Sequence, residues 1–381
     1  MTAGTTRFVG ARLREAREAR GLTATWLADI LGVSRAAVSQ YETGKTSPSI
    51  TVMERIALVL DLPPRFFLNR EPKDDVAATP VFYRSMSAAT KTARVRAERR
   101  YAWLRRIVAW LAQHVQFARV SFPESDIPQE PERITASDIE DLADLVRDRW
   151  GTTTGPLPSV VGLLEEHGAV VARVELGAAT LDAFSEWNSS DDTPYFVLNS
   201  DKESSVRSRY DASHELGHMM LHRRIRPEVL RNPTTFRLVE NQAHRFASAF
   251  LMPEQEFADD ISLVTMEALI SLKTKWQVSI AAMIKRAQDL NLITPDRAER
   301  LWINLSRRGW RRREPLDDCL EAEEPSFLRR AFDLLLDRGG ITPAQIEAHL
   351  NLRSQDIEQV CGLPPGHLGQ GARTIRLIRK A

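Results

Sequence analysis

Along the first seventy positions, short apolar runs at helical spacing alternate with turns that carry glycine and serine. In "FVGARLREAREARG", Val9, Leu13 and Ala16 fall on one face and Gly21 stands as a C-cap. "TATWLADILGVS" follows, with Thr23 or Thr25 as N-cap, Leu27, Ile30 and Leu31 apolar, and Gly32 as the turn. Ser34 then caps "RAAVSQYETGK", a short helix that ends before Gly44. Helix, glycine turn and second short helix are the pattern of a helix-turn-helix. The polar stretch "NREPKDDVAATP", Asn69 to Pro80, has no period and marks a domain boundary.

Helical spacing returns in "TARVRAERRYAWLRRIVAWLAQHVQFA", where Leu104, Ile107, Leu111 and Val115 share a stripe beside Trp103 and Trp110. Its arginines (Arg94, Arg96, Arg99, Arg100, Arg105, Arg106) read as a solvated or dimer-packing face, and His114 as structural. After the loop "SFPESDIPQEPE" come two amphipathic helices, "SDIEDLADLVRDRW" and "SVVGLLEEHG". Three β-branched or aromatic pieces follow, "AVVARVEL", "TLDAFSEW" and "PYFVLN", which read as strands. Helices, a small sheet and then further helices form an α+β pattern. In "LITPDRAERLWINLSRRGWRRREP" the arginines read as a solvated helix end. The last segment, from Pro325 to Leu368, is helical and divided at Gly339 and Gly340. Its short helices are like those of the N-terminal module, but the sequence shows no repeat.

At 381 residues the chain exceeds one ordinary core, so two or three domains are expected. A net charge of +1, with 27% charged and 43% hydrophobic residues, describes an ordinary globular protein and leaves only local charge to identify partners. No apolar run is long enough to span a bilayer, and the N-terminus lacks the apolar core of a secretory signal, so a cytoplasmic location is expected. Residues 1–68 carry nine Arg or Lys against six Asp or Glu. The only cysteines, Cys319 and Cys361, support neither a disulfide framework nor a thiolate site, so any metal must be held by nitrogen and oxygen.

The chemistry concentrates in "DASHELGHMMLH". On a helix His214 and His218 project from one face, one turn apart, and two imidazoles so placed can share a zinc ion. Glu215, beside the first histidine, can reach a water on the metal and take its proton. A catalytic zinc needs a third protein ligand, for which His222, Glu240 and His244 are candidates. Each four-residue step rotates a helix position by about 40°, which makes His222 awkward as a third ligand on the same helix. Glu240 opens "ENQAHRFASAFLMP", 22 residues past His218, far enough for one helix to turn back on another. Gly217 is a poor helix former, and close approach of a neighbouring backbone would explain it.

Over about 60 residues the N-terminal segment resembles the lambda-repressor type of helix-turn-helix, the Xre family, through "LGVS", "RAAVSQYE" and "TGKTSPSITVMERIALVLDL". The resemblance implies a second helix lying in the major groove of a double-stranded DNA operator, with Arg35, Ala36, Ser39 and Gln40 facing bases. Arg35 and Gln40 suit guanine and adenine, while Lys45 and Thr46 suit phosphate. A homodimer is expected, because one small module makes few phosphate contacts.

From about Tyr83 to Pro315 the chain resembles the ImmA/IrrE metallopeptidase family, through "FSEW", "FVLN", "RSRYDASHELGHMMLH", "ENQAHRFASAFLMP" and "KTKWQVSIAAMIKRAQDLNLI". That resemblance implies Zn2+ held by His214, His218 and Glu240, with Glu215 as general base. It leaves His222 to orient or pack, and His244 stands where the family often has a small polar residue.

The fold class expected is therefore multidomain: an all-α lambda-repressor-like domain, an α+β zincin-like metallopeptidase domain and a helical C-terminal region. The boundaries expected are 1–70, a linker and basic helix at 71–129, the peptidase at 130–300 and the helical region at 301–381. The implied function is transcription regulation with cleavage, in response to stress or mobile-element signals, of a repressor or other regulatory protein, which includes this chain at its own linker. The alternative is a regulator of the acyl-CoA-sensing or antitoxin kind whose peptidase fold is not catalytic.

Overall fold

The computed structural model describes residues 8–69, 90–175, 183–200, 205–226, 228–261 and 264–369. Apart from Asn69, the Asn69–Pro80 linker lies outside the described residues.

Four helices build the first unit: α1 (Gly10–Ala19), α2 (Ala24–Leu31), α3 (Arg35–Glu42) and α4 (Ile50–Val59). Thr23, Ser34 and Ser49 each accept a backbone N–H of their helix's first turn, which satisfies donors that would otherwise be orphaned. Leu13, Ala16, Leu27, Leu31, Val38 and Ile56 are buried between them, whereas Ile30 points to solvent.

The next helix, α5 (Lys91–Leu111), ends four residues short of Val115, which is half-buried beyond its end. Its arginines correct the expectation of a solvated or dimer-packing face, because α1 offers them carboxylates within the same chain. Arg99 donates to Glu18 at 2.7 Å, Arg106 to Glu15 at 2.7 Å, and Arg100 to the Ala19 carbonyl at 3.2 Å. Trp103 Nε1 donates to the same Glu15 carboxylate at 2.6 Å, and its ring meets Phe66 edge-on. Burial pushes the Glu15 carboxyl up, but Arg106 and Arg12 outweigh it and hold the group below the usual range.

Helices α6 (Ala136–Arg149) and α7 (Val160–Glu166) precede strands β1 (Val170–Val174), β2 (Ala183–Asn188) and β3 (Thr193–Asn199). The strand order is β1-β3-β2, with β1 parallel and β2 antiparallel to the central β3. Alternation along the strands divides the apolar residues between two cores. Val170, Ala172, Phe184, Tyr195 and Val197 join the core shared with the N-terminal unit, α5 and the C-terminal helices. Val171, Ala183, Phe196 and Leu198 join the core that contains the motif helix.

That helix is α8 (Ser205–Leu221), and it packs along α9 (Pro233–Leu251). Asn232 caps α9 and Pro233 occupies its first turn, so Glu240 lies inside the helix and does not open it. A Cβ on Gly217 would stand 3.1 Å from the Ala243 carbonyl and 3.1 Å from Phe246, which is the close approach that this glycine permits. Helices α10 (Glu254–Asp260), α11 (Met266–Trp276), α12 (Ile280–Asp289) and α13 (Pro295–Arg307) cover the second core. The chain then returns to the first core with α14 (Phe327–Asp337), α15 (Pro343–Leu350) and α16 (Ser354–Cys361). Among the described residues no helix is long and apolar enough to cross a membrane.

Candidate metal centre

The contact of α8 with α9 brings three donor atoms together. His214 Nε2 and His218 Nε2 are 3.0 Å apart, and the Glu240 carboxylate lies 3.5 Å from each. Zinc bonds of about 2.0–2.2 Å in a tetrahedron set ligand atoms roughly 3.3–3.6 Å apart. The two separations to Glu240 fall in that range, and the two histidine nitrogens would have to part by a few tenths of an ångström to reach it. His244 also offers a ligand atom, within 4.8 Å of those of His214 and Glu240. It is exposed, and its Nδ1 lies 3.2 Å from the Tyr210 hydroxyl. His214, His218 and Glu240 are the more closely spaced triplet. The free cysteines take no part, and Cys361 is buried in the other core.

A relay behind His218 fixes its tautomer. Gln242 Nε2 donates to the Pro131 carbonyl at 2.7 Å, so its Oε1 is left to accept from His222 Nε2 at 3.1 Å. Burial pushes the His222 imidazole down to about 3, so it is neutral, and its Nδ1 accepts from His218 Nδ1 at 3.0 Å. The Nε2 of His218 then carries a lone pair toward the cluster, as a metal ligand requires. His222, which the resemblance leaves to orient or pack, lies between His218 and Gln242, and neither Gln242 nor Pro131 carries a sequence signal.

Glu215 is buried, and its Oε2 accepts from Ser185 Oγ of β2 at 2.7 Å. Burial pushes this carboxyl up to about 7, against the opposing effects of His214 and the Ser185 hydroxyl. Of the neighbours without an assigned role, Arg209 is tied to Glu323 and the Leu157 carbonyl, and Arg245 to Glu140. Tyr210 alone of these borders the cluster, through His244.

Far from this cluster in sequence, Arg35, Ala36, Ser39 and Gln40 on α3, with Lys45 and Thr46 just past it, are all exposed. Ser34 is spent on the cap, accepting from Ala37 N at 3.1 Å.

Comparison with known proteins gives matches to both regions. The helix-turn-helix family matches residues 13–67, and the IrrE N-terminal-like domain, of the peptidase family M78, matches residues 164–288. A protein of Pyrococcus furiosus named as an HTH-type transcriptional regulatory protein is 47% identical over 57 residues, 15% of this chain and 18% of that one. One of the same description from Methanocaldococcus jannaschii is 44% identical over 54 residues, 14% of this chain and 17% of that one. The chain thus spans less than a fifth of the length of these curated relatives. It joins a helix-turn-helix domain to an IrrE N-terminal-like, metallopeptidase-type domain.

Proposed function

We propose that this protein is a DNA-binding transcription regulator whose second domain is a zinc-dependent endopeptidase acting on a repressor or other regulatory protein. The observation that carries the reading is the convergence of His214, His218 and Glu240 beside a buried carboxylate, in one chain with an exposed α3. These three residues would hold the ion, which supplies Lewis acidity and an acidified water when bound. Glu215 takes the proton from the attacking water and passes it to the leaving amine. Ser185 holds the carboxylate in place.

Tethering makes a DNA-bound neighbour the favoured substrate, because the operator raises the local concentration of peptidase beside it. Cleavage within the Asn69–Pro80 linker is a further route. The test is a reporter strain in which Glu215→Gln replaces the parent. Loss of promoter induction with unchanged operator affinity is the expected result, and unchanged regulation would remove peptidase action from the mechanism.

Two further outcomes follow. Gln242→Leu is expected to weaken zinc binding by about 10–100-fold, because His222 loses the acceptor that fixes the relay. Competition with a chromogenic chelator measures it, and an unchanged affinity would show that the relay does not prepare His218. Arg35→Ala and Gln40→Ala are each expected to cost about 1–3 kcal/mol and to relax specificity at one base. Lys45→Ala should instead weaken binding to every sequence and lower the salt slope by about 1. Fluorescence anisotropy across a salt series separates the two behaviours. Two copies on one operator complete the reading, since a single module makes few phosphate contacts.

A further inference from the structure

We infer that residues 327–363 are a second helix-turn-helix unit, turned from DNA to protein, whose second helix is, together with α5, a seat of the N-terminal unit. The two units correspond at one constant spacing along the chain. Helices α2 and α15 are both eight residues long, both capped by a threonine (Thr23, Thr342), and both follow a left-handed glycine, Gly21 at φ 69° and Gly340 at φ 62°. Both end on a left-handed residue, Gly32 at φ 66° and Asn351 at φ 54°. After the same short turn, α3 and α16 each run for eight residues. Buried Leu27 and Val38 correspond to buried Ile346 and Ile357, and Leu13 and Ala16 of α1 to Phe332 and Leu335 of α14. Identical residues are confined to Phe8/Phe327, Gly21/Gly340, Thr23/Thr342, Leu31/Leu350 and Gln40/Gln359, too few for the sequence alone to show a repeat.

What differs is the second helix. The positions of Arg35, Ala36, Ser39 and Gln40, all exposed, are taken by Ser354, Gln355, Glu358 and Gln359, and Glu358 is 4% exposed. It accepts from Gly366 N at 2.9 Å and Leu368 N at 2.7 Å, so the chain's own loop is folded over that position. Asp356, also 4% exposed, replaces Ala37. Two carboxylates on this face oppose phosphate, and α16 lies against α5 and β1, with Gly362 close on the Arg173 carbonyl.

Asp356 has a cationic partner from the N-terminal unit. Arg20 grips both its carboxylate oxygens, the second at 2.8 Å, and also donates to the Leu60 carbonyl at 3.0 Å and the Asp61 carbonyl at 3.2 Å. Its guanidinium stands 5.8 Å from the Trp103 ring of α5. Arg353, at the start of α16, adds a looser pair with Asp61 at 3.8 Å. One guanidinium therefore joins the end of α1, the end of α4 and α16.

Hydrogen exchange on the full-length chain tests the seat. Arg20→Asp and Asp356→Arg should each speed exchange about 10-fold or more in both α1 and α16, because each leaves a charge unpaired in a largely buried place. The double variant, with the charges exchanged, should recover part of the lost protection in both helices, which assigns the single-variant losses to the pair. Recovery is incomplete because an aspartate at position 20 cannot donate to the Leu60 and Asp61 carbonyls. Single variants that move neither helix, or a double variant no slower than the worse single, would overturn the proposal. A second arm rests on the reading of α3 as the DNA-facing helix and uses a non-specific duplex at low salt. Gln355→Ala with Gln359→Ala should leave affinity within about 2-fold, while Arg35→Ala with Lys45→Ala lowers it about 10-fold or more. Equal losses from both pairs would show that the second unit also binds DNA, and would overturn its assignment as a seat alone.

Discussion

Glu215→Gln is expected to slow peptide hydrolysis by about 10²–10⁴-fold while the protein keeps its zinc. The substitution preserves size, and the amide oxygen can still accept from Ser185 Oγ, now 2.7 Å from the carboxylate. What disappears is a group able to take a proton and return it. The three donor atoms of the proposed ligand set belong to other residues, so metal content should not change. Turnover of a peptide substrate, measured beside metal stoichiometry by atomic emission, separates these effects. A variant that loses zinc in proportion to activity would make Glu215 a ligand, and one that retains parental turnover would remove it from the chemistry.

Glu240→Ala is expected to cost more zinc affinity than the roughly 10–100-fold that loss of an outer partner brings. Its carboxylate supplies the only oxygen among the three closely spaced donors, 3.5 Å from either histidine nitrogen. His244→Ala should leave most of the affinity, since its ring is exposed and engaged with Tyr210. Parallel chelator titrations of the two variants decide between them. Greater loss in His244→Ala would move the third ligand to that histidine and leave Glu240 as its partner.

Features set by neighbours in sequence were legible before the fold. The cap Ser34, the turn at Gly32 and the three strands follow from local pattern, and the structure selects Thr23 from the two candidate caps Thr23 and Thr25. The pairing of His214 with His218 follows from helical geometry alone, and Gly217 signalled the approach of α9 by being a poor residue for its place. Glu240 was one of three third-ligand candidates until a family resemblance singled it out. It lies inside α9 and does not open it, because the helix already begins at Pro233, where Asn232 caps it.

Contacts between distant segments were not legible. Ser185 lies on a strand that touches the motif helix only after folding, and Gln242 is one polar residue among several on α9. The arginines of α5 read as solvated because the carboxylates of Glu15 and Glu18 are on a helix 91 and 81 residues earlier. The C-terminal unit keeps the turn geometry and buried positions of the first but almost none of its side chains, so backbone conformation shows a likeness that composition hides.

Gly217 bears on how closely two helices can stand. A methyl group at 217 would meet the Ala243 carbonyl and Phe246 at 3.1 Å each. Relief of those contacts moves α8 away from α9 and widens the 3.5 Å gaps between the two histidine nitrogens and Glu240. The missing side chain thus acts as a spacer of zero thickness, and Gly217→Ala would loosen the donor cluster without touching a donor.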